Sequence, residues 1–103
     1  MRTPNPARAV LYASPTYRVV LARIAANLRR LREARGWTQE ECAGRCGEIA
    51  PALLRRIEAG GTNVTALTLA RLCDGLEVDG EEFLRPALPL PKRRPGRPRK
   101  QTD

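Results

Sequence analysis

The sequence predicts an all-α fold of five helices, and three observations lead to that prediction. Apolar residues recur at steps of three and four along most of the chain, whereas the alternation with a period of two that is typical of strands does not occur. Helix start and stop signals bound each of these periodic segments. Apolar residues make up 42% of the 103 residues and aromatic residues only 4%, so we expect an aliphatic core.

The first helix is predicted to begin at Ser14-Pro15 and to run to Arg35. Serine is a favourable N-cap, and proline suits the first helical position, where the N–H has no intrahelical partner. The apolar residues at helical spacing are Val20, Leu21, Ile24, Leu28 and Leu31. Gly36 then accepts a left-handed helix stop without steric cost.

Two short helices are predicted next, joined by a turn that contains glycine. Thr38 and Glu41 can form a capping box at the start of the second helix, which ends at Gly47. The third helix begins near Pro51 and ends before Gly60-Gly61. The residues predicted to face inward are Cys42, Ala43, Cys46, Leu54 and Ile57. Two helices joined in this way form a helix-turn-helix arrangement.

Two further helices are predicted after the glycine pair. The fourth runs from Thr65 to Leu76. Its inward residues are Leu69, Leu72 and Cys73. A second capping box, in residues 79–82, is predicted to begin a short fifth helix that carries Phe83 and Leu84.

The chain divides into four segments. Residues 1–14 form an irregular N-terminal arm, and residues 15–85 form the helical domain. Residues 86–91 alternate proline with apolar residues and are predicted to be an extended linker. Residues 92–103 form a basic C-terminal tail that is disordered by itself.

The charge of the protein lies mainly in its tail. The chain has 19 basic and 11 acidic residues, no histidine and a net charge of +8. Six of the basic residues stand in residues 92–100, so the rest of the chain holds 13 basic residues against 11 acidic ones. A charge excess of this size favours a polyanionic partner, namely nucleic acid or an acidic membrane surface.

The sequence gives no sign of membrane insertion or export. No stretch approaches the roughly 20 apolar residues that a membrane span needs. The apolar patch within residues 9–13 is too brief for the hydrophobic region of a signal peptide. We therefore expect a cytoplasmic protein, and the Arg- and Ala-rich composition suits a bacterial or phage gene.

Several segments, in order and at characteristic spacing, connect the chain with a known family. They are residues 28–41 (LRRLREARGWTQEE), residues 56–60 (RIEAG), Asn63, the spacing of Leu69, Leu72 and Leu76, and residues 81–84 (EEFL). On these residues the chain resembles the Cro/C1 repressor type of helix-turn-helix domain, also called the XRE family, across residues 24–84. The resemblance implies a lambda-repressor-like domain that binds double-stranded DNA.

The resemblance also implies which residues contact DNA. The start of the second helix would bind backbone phosphate, and the third helix would lie in the major groove with its first residues and two arginines nearest the bases. The loop after the third helix would meet neighbouring phosphates. The residues in question are Thr38, Gln39, Ala50, Pro51, Ala52, Leu53, Arg55, Arg56, Thr62 and Asn63. Arg32 and Glu58 resemble the buried ion pair of the family.

Two departures from the family pattern bear on DNA recognition. The turn after Gly47 is one residue longer, with Glu48 as the extra residue and Ile49 at the apolar turn position. The base-facing positions 50–53 carry Ala, Pro, Ala and Leu, which cannot read donor and acceptor patterns. We therefore expect modest sequence preference from the helical domain. The alternative is that this surface docks a protein, with Leu53 as an exposed anchor.

The basic tail resembles an AT-hook, in which a Gly-Arg-Pro core lies in a narrow AT-rich minor groove. Prolines keep such a strand extended, and arginines enter the region of strongest negative potential. The residues expected to contact DNA are Arg93, Arg94, Gly96, Arg97, Arg99 and Lys100. Pro95 stands where the motif usually has an arginine, which displaces the first arginine by one position. The alternative is a tail that contacts phosphates without preference.

The three cysteines, Cys42, Cys46 and Cys73, allow two interpretations. They can fill the core as small hydrophobic residues, or they can form a metal or redox sensor. Without histidine, a closed zinc site lacks its fourth protein ligand unless a carboxylate contributes, so we expect neither a metal nor a cofactor. The sequence offers no nucleophile–base pair, phosphate-binding loop or catalytic carboxylate cluster, and therefore predicts no enzymatic activity.

The sequence thus predicts a transcription regulator or DNA-organising protein, associated with the nucleoid. The alternative is a protein-interaction module, antitoxin-like or partner-docking, on the same scaffold. A membrane-surface role is disfavoured because the tail lacks an apolar face. We expect a homodimer, since many relatives bind inverted half-sites. The dimer contact is predicted either at the fifth helix and linker or at the first helix. The residues involved would be Phe83, Leu84 and Leu88, or Val19 and Val20.

Overall fold

The computed structural model describes residues 13–86, which form five α-helices and no strand. The helices are α1 (Pro15–Ala34), α2 (Gln39–Arg45), α3 (Pro51–Glu58), α4 (Ala66–Leu76) and α5 (Glu81–Leu84). The predicted all-α fold of five helices is confirmed. The predictions for the arm, the linker and the tail fall almost entirely on residues 1–12 and 87–103, which lie outside the described residues. No described helix has the length and apolar character to cross a membrane.

Helix α1 begins and ends at the predicted signals. The Ser14 side chain accepts a hydrogen bond from the Tyr17 backbone N–H (3.3 Å), and Pro15 occupies the first helical position. Gly36 follows the helix with a φ of 70°, a conformation that costs glycine little. The buried residues of α1 are Ile24, Ala25, Asn27, Leu28 and Leu31. Their spacing gives α1 one face directed at the rest of the fold.

Helix α2 begins with the predicted capping box. The Glu41 backbone N–H donates to the Thr38 hydroxyl (3.0 Å), and the Glu41 carboxylate accepts from the Thr38 backbone N–H (2.8 Å). These two bonds satisfy two donors that the first turn of a helix leaves without partners. The start of α2 is therefore fixed by local sequence alone.

The turn between α2 and α3 accommodates its extra residue through backbone conformation. Gly47 and Glu48 both adopt a positive φ, of 79° and 60°. For a residue with a side chain this left-handed conformation costs roughly 1–2 kcal/mol. Ile49 then returns to the core, where it is 5% exposed and its N–H donates to the Ala43 carbonyl (3.0 Å). Glu48, the residue predicted to be extra, thus lies in the turn in a left-handed conformation, and Ile49 is buried.

The core lies between α1 and the other four helices. Helix α1 packs against α3 and α5, and α2 packs against α3 and α4. The largest fully buried side chains are Phe83, Leu28, Leu54, Ile57, Leu72, Leu76, Cys42 and Cys46. Cys42 and Cys46 are therefore core residues, whereas Cys73 is half-buried at the edge of the core.

Phe83 is completely buried, which corrects the expectation that it contributes to a dimer contact. Val20 is likewise partly buried and packs against the core. Both side chains therefore contribute to packing within the fold, and Phe83 is the one buried residue of the four-residue α5. Of the residues expected at a dimer contact, Val19 (47% exposed) and Leu84 (44% exposed) remain on the described surface.

The predicted capping box of α5 does not form. Gly80 is the N-cap, and the Asp79 carboxylate accepts instead from the Glu81 backbone N–H (3.4 Å). The Glu82 carboxylate accepts from Arg30 (3.1 Å) and Arg85 (3.2 Å). These charged donors form stronger hydrogen bonds than a backbone N–H, so Glu82 turns away from the helix start.

Asn27 attaches α5 to α1 from within the core. It is 3% exposed, and its Nδ2 donates to the carbonyls of Phe83 and Arg85, each at 3.0 Å. Its Oδ1 accepts from the Arg30 guanidinium (3.1 Å). A buried amide with both ends bonded avoids the cost of an unsatisfied polar group. This role could have been predicted from the sequence, because Asn27 is a polar residue on the apolar face of α1.

Candidate nucleic-acid interface

Glu58, the last residue of α3, joins three helices through its carboxylate. The Arg32 guanidinium of α1 donates from Nε to Oε2 (2.6 Å) and from Nη2 to Oε1 (3.1 Å). The Gln39 amide of α2 donates to Oε1 (3.0 Å). The side chains of Glu58 and Arg32 are 3% and 14% exposed, so the two charges are held largely away from solvent. The hydrogen bond that Arg32 donates to the Glu58 carboxylate raises the pKa of the Arg32 guanidinium above its usual value.

This network fixes α2 and α3 relative to α1. The Arg32 Nη1 also donates to the Trp37 carbonyl (2.8 Å), just before α2 begins. The Arg29 guanidinium donates to the Glu58 backbone carbonyl (3.3 Å), at the end of α3. A bidentate arginine–carboxylate pair restricts orientation as well as distance. The angle between α2 and α3 is therefore set by charged contacts in addition to apolar packing.

The predicted site residues of α2 lie beside this network. Thr38 is exposed, and its hydroxyl accepts the capping hydrogen bond. Gln39 is half-buried, and its amide nitrogen is bonded to Glu58. The first turn of α2 also carries Glu40 and Glu41, whose charges weaken the attraction of this helix end for phosphate.

The outer face of α3 is open to solvent. Ala50, Pro51 and Ala52 are exposed and carry no side-chain hydrogen-bonding group. Arg55 and Arg56 are also exposed, in the last turn of the helix. The first turn of α3 has no acidic residue. This face therefore carries two positive charges, and its other exposed residues are small and apolar.

The two arginines of α3 differ in their surroundings. Arg55 lies 3.5 Å from the Glu40 carboxylate, and both side chains are more than half exposed. Within residues 13–86, Arg56 forms no ion pair. Since an exposed ion pair contributes at most about 1 kcal/mol, Arg55 can exchange Glu40 for another anion at small cost.

Leu53 does not form the exposed anchor that the protein-docking alternative requires. It is half-buried and packs against the core cluster. The reason is its position one residue before Leu54, which is completely buried, so part of the Leu53 side chain also reaches the apolar interior. The base-facing part of α3 thus lacks a large free apolar side chain.

The loop after α3 completes the surface. Gly60 adopts a φ of 75°, which allows the chain to turn directly after the helix. Thr62 is half-buried and Asn63 is exposed. The Tyr17 hydroxyl of α1 donates to Oδ1 of Asn63 (3.4 Å). The loop residues of the predicted site thus follow directly after α3, while residues 93–100 lie outside the described part of the chain.

The buried side chains of Cys42 and Cys46 contact each other, and this contact lowers the pKa of the Cys42 thiol and raises that of Cys46. Residues 13–86 contain no group of three or more His, Cys, Asp or Glu side chains that could hold a metal ion. The sulfur atoms of Cys42 and Cys46 are 4.0 Å apart. The bond with Cys42 and burial both raise the pKa of Cys46, so that thiol stays protonated at neutral pH. Cys46 is therefore a poor nucleophile.

A short capped helix and an exposed basic helix, held together by a buried ion-pair network, form a helix-turn-helix arrangement. Residues 23–85 match the family described as Helix-turn-helix domain (HTH_31), which is more than half of the chain. The chain belongs to this helix-turn-helix family. No curated protein matches the sequence.

Two solved structures are similar to this chain. One is an HTH_3 family transcriptional regulator from Vibrio cholerae, at 31% identity and a TM-score of 0.61. The match covers 65% of this chain and 37% of that chain, so this chain spans little more than a third of the Vibrio protein. The other is the restriction-modification controller protein C.AhdI from Aeromonas hydrophila, at 28% identity and a TM-score of 0.58. That match covers 61% of this chain and 94% of the controller protein.

Proposed function

We propose that this chain is a transcription regulator that binds double-stranded DNA by inserting α3 into the major groove. One observation carries the proposal: the Glu58 network fixes α3 against α1 and α2 while the outer face of α3 stays exposed and basic. A rigid helix with a free face is what major-groove binding requires. The similarity to a transcriptional regulator and to a restriction-modification controller protein supports the same function.

Direct base recognition rests mainly on Arg56 in this proposal. Ala50 and Ala52 can contact a thymine methyl group but have no hydrogen-bonding side chain. Arg55 must first leave Glu40, whereas Arg56 has no such competitor within residues 13–86. An arginine can bind the O6 and N7 atoms of guanine, which contributes about 1–3 kcal/mol of discrimination. One such contact per recognition helix gives a modest sequence preference.

The remaining contacts position the protein on the sugar–phosphate backbone. Thr38 and Gln39 would bind phosphate on one side of α3, and Thr62 and Asn63 on the other. Their places in the structure support this arrangement, because the two pairs flank α3 at the start of α2 and in the loop after α3. Contacts of this kind set register without reading sequence.

The basic tail would supply a second contact with DNA. Residues 92–100 carry six positive charges and a Gly-Arg-Pro core, so they suit an AT-rich minor groove. The arginine of that core, Arg97, is the residue expected to enter the groove. A preference for AT-rich DNA would then come from the tail and add to the modest preference of α3.

A homodimer would place two α3 helices on inverted half-sites. Val19 of α1 and Leu84 of α5 are the exposed apolar residues that remain from the expected contacts. Helices α1 and α5 pack against each other, and the Arg23 guanidinium donates to the Leu84 carbonyl (3.3 Å). The self-association surface would therefore lie along α1 and α5, leaving α3 free for DNA.

The decisive experiment selects bound sequences from random duplex DNA with the full chain and, side by side, with a chain that ends at Pro91. We expect the full chain to enrich AT-rich duplexes that contain a short common site. The shortened chain should keep the site and lose the AT-rich flank. Failure of the full chain to bind duplex DNA would refute the proposed function.

Two arginine variants separate the recognition helix from general electrostatics. Arg56→Ala and Arg45→Ala each remove one exposed positive charge. Arg45 lies over the Trp37 ring at 4.8 Å, outside the proposed interface. Loss of Arg56 should lower affinity for the selected site about 5- to 100-fold, and loss of Arg45 should change it little. Equal losses would show that α3 does not read bases.

The protein-docking alternative predicts a different salt dependence. Contacts with several phosphates make the binding constant fall steeply as salt rises, whereas a protein-docking module would bind DNA weakly at any salt concentration. Titration of the full chain with a selected duplex at several salt concentrations distinguishes the two functions. A tail that contacts only phosphates would also make the binding constant fall steeply with salt. In that case Arg97→Ala would weaken binding to AT-rich and GC-rich duplexes equally.

A further inference from the structure

The first two turns of α1, called the added turns below, lie before the part of this chain that matches the family. Helix α1 begins at Pro15, whereas the family match begins at residue 23. Tyr17, in this added segment, is 46 residues away in sequence from Asn63 but donates its hydroxyl to Oδ1 of Asn63 at 3.4 Å. The added turns therefore reach the loop that follows the recognition helix.

This contact is the last of a series along α1. Arg32 binds the Glu58 carboxylate, and Arg29, one turn earlier, binds the Glu58 backbone carbonyl. Another turn earlier, Ala25 lies beside Gly60, where a Cβ atom would be 3.9 Å from the Ala25 Cβ. Helix α1 thus runs antiparallel to the chain that leaves α3, and its added turns extend this contact to the DNA-facing loop.

The orientation of the Asn63 amide decides what it can bind. A phosphate oxygen only accepts hydrogen bonds, so an asparagine must present its Nδ2 group to it. A hydroxyl that donates to Oδ1 stabilises the rotamer in which Oδ1 faces Tyr17 and Nδ2 faces the other way. Asn63 is exposed, and no acceptor for its Nδ2 is recorded within residues 13–86.

We propose that Tyr17 is a positioning residue of the DNA interface, which holds the Asn63 side chain so that its Nδ2 group donates to a backbone phosphate. The proposal rests on the DNA binding proposed above and assigns a role in it to the added turns of α1. Tyr17 acts through Asn63. The added turns thereby extend the DNA-binding surface beyond the family domain.

A double-mutant cycle tests the proposal in the full chain with a selected duplex. Tyr17→Phe removes the hydroxyl and keeps the ring, and Asn63→Ala removes the amide. We expect Tyr17→Phe to weaken binding about two- to fivefold, and to have no further effect in the Asn63→Ala background. The urea midpoint of Tyr17→Phe should match that of the unmodified chain, because the lost bond is exposed.

A third variant tests the donor role directly. Asn63→Asp keeps an acceptor for Tyr17 but replaces the amide donor with a negative oxygen, so binding should fall at least about tenfold. In the unmodified chain, the NMR signals of the Asn63 side-chain amide should shift when the duplex is added.

The outcomes separate this inference from the proposed function. If the unmodified chain does not bind duplex DNA, both are overturned. If the unmodified chain binds and Tyr17→Phe binds equally well, only the role of Tyr17 is overturned. The same holds if Tyr17→Phe weakens binding equally in the unmodified chain and in the Asn63→Ala background. If Asn63→Asp binds the duplex as well as the unmodified chain, the proposed contact between Asn63 and a phosphate is refuted.

Discussion

Glu58 shows how one buried side chain can set the geometry of a surface. Its carboxylate accepts from Arg32 and Gln39, and its backbone carbonyl accepts from Arg29. A buried ion pair is not by itself a large source of stability, because desolvation offsets most of the attraction. Its effect here is orientation, since α3 cannot rotate without breaking bonds to both α1 and α2.

Replacing Glu58 with Gln should destabilise the fold and disorient α3. The change keeps the volume but leaves the Arg32 guanidinium, which is 14% exposed, with only the exposed Glu33 carboxylate 3.9 Å away as a counter-ion. We expect a loss of about 2–4 kcal/mol in the free energy of unfolding, measured by urea denaturation. The control is Glu33→Gln, which removes an exposed carboxylate 3.9 Å from Arg32 and should cost at most about 0.5 kcal/mol. Equal effects of the two variants would contradict the structural role of Glu58.

Glu82 gives the fold a pH dependence at acidic pH. Hydrogen bonds from Arg30 and then Arg85 lower the pKa of this carboxylate below its usual range. A lowered pKa in the folded state stabilises the fold at neutral pH, and this contribution disappears as the pH falls through the folded-state pKa. Glu82→Gln should therefore be less stable than the unmodified chain at pH 7, and the difference in the free energy of unfolding should close as the pH falls through the lowered folded-state pKa of Glu82.

Urea denaturation of both chains across this pH range measures the difference. Added salt is the second test, because these side chains are partly or largely exposed. At about 1 M NaCl the difference at pH 7 should also narrow, since exposed charges are then screened over about 3 Å. A difference that is independent of pH would show that Glu82 acts through packing.

At the level of elements, the close approach of α2 and α4 depends on Gly75. A Cβ atom at this position would lie 2.5 Å from the Arg45 carbonyl oxygen and 2.7 Å from the Cys46 Cα. These are backbone atoms, which cannot move aside as a flexible side chain can. Glycine inside a helix usually costs about 0.5–1 kcal/mol, so its presence here is explained by packing.

Gly75→Ala should lower the free energy of unfolding by about 2 kcal/mol or more, because α4 must move away from α2. The matched control is Gly44→Ala, a helical glycine of α2 whose added Cβ would meet nothing within 4 Å. That variant should be neutral or more stable by up to about 1 kcal/mol. Urea denaturation of both variants measures the contrast, and a stable Gly75→Ala chain would show that the two helices can separate at little cost.

For the whole molecule, the proposed self-association surface includes Val19 of α1 and Leu84 of α5, both of which are exposed. Val19→Lys combined with Leu84→Lys should convert the proposed dimer to a monomer, because each introduces a charge into an apolar contact. Sedimentation velocity of the full chain measures the change.

The control for this prediction is Leu67→Lys. Leu67 is 62% exposed on α4 and lies outside the proposed contact, so this change should leave the dimer intact. Two results would contradict the assignment: an unmodified chain that is monomeric, or a dimer that survives the double substitution. Monomeric behaviour of the Leu67→Lys variant alone would place the contact on α4.

Local signals in the sequence determined the helices of this protein. The serine and threonine caps, the prolines at first helical positions and the stop glycines act within a few residues, so their effects do not need the rest of the fold. Gly36 and the Thr38–Glu41 capping box are formed as predicted. The apolar period likewise predicted most of the core, because burial follows the face of each helix.

The tertiary structure decided the contacts that join residues far apart in sequence. Glu82 leaves its predicted cap for Arg30, 52 residues away, and Phe83 enters the core and is lost to a dimer contact. Gln39 reaches Glu58 only when α2 meets α3, and the Tyr17 hydroxyl reaches Asn63 only when α1 meets the loop after α3. The physical reason is competition: where a charged or buried partner is available, it outweighs the weaker local bond that the sequence pattern predicts.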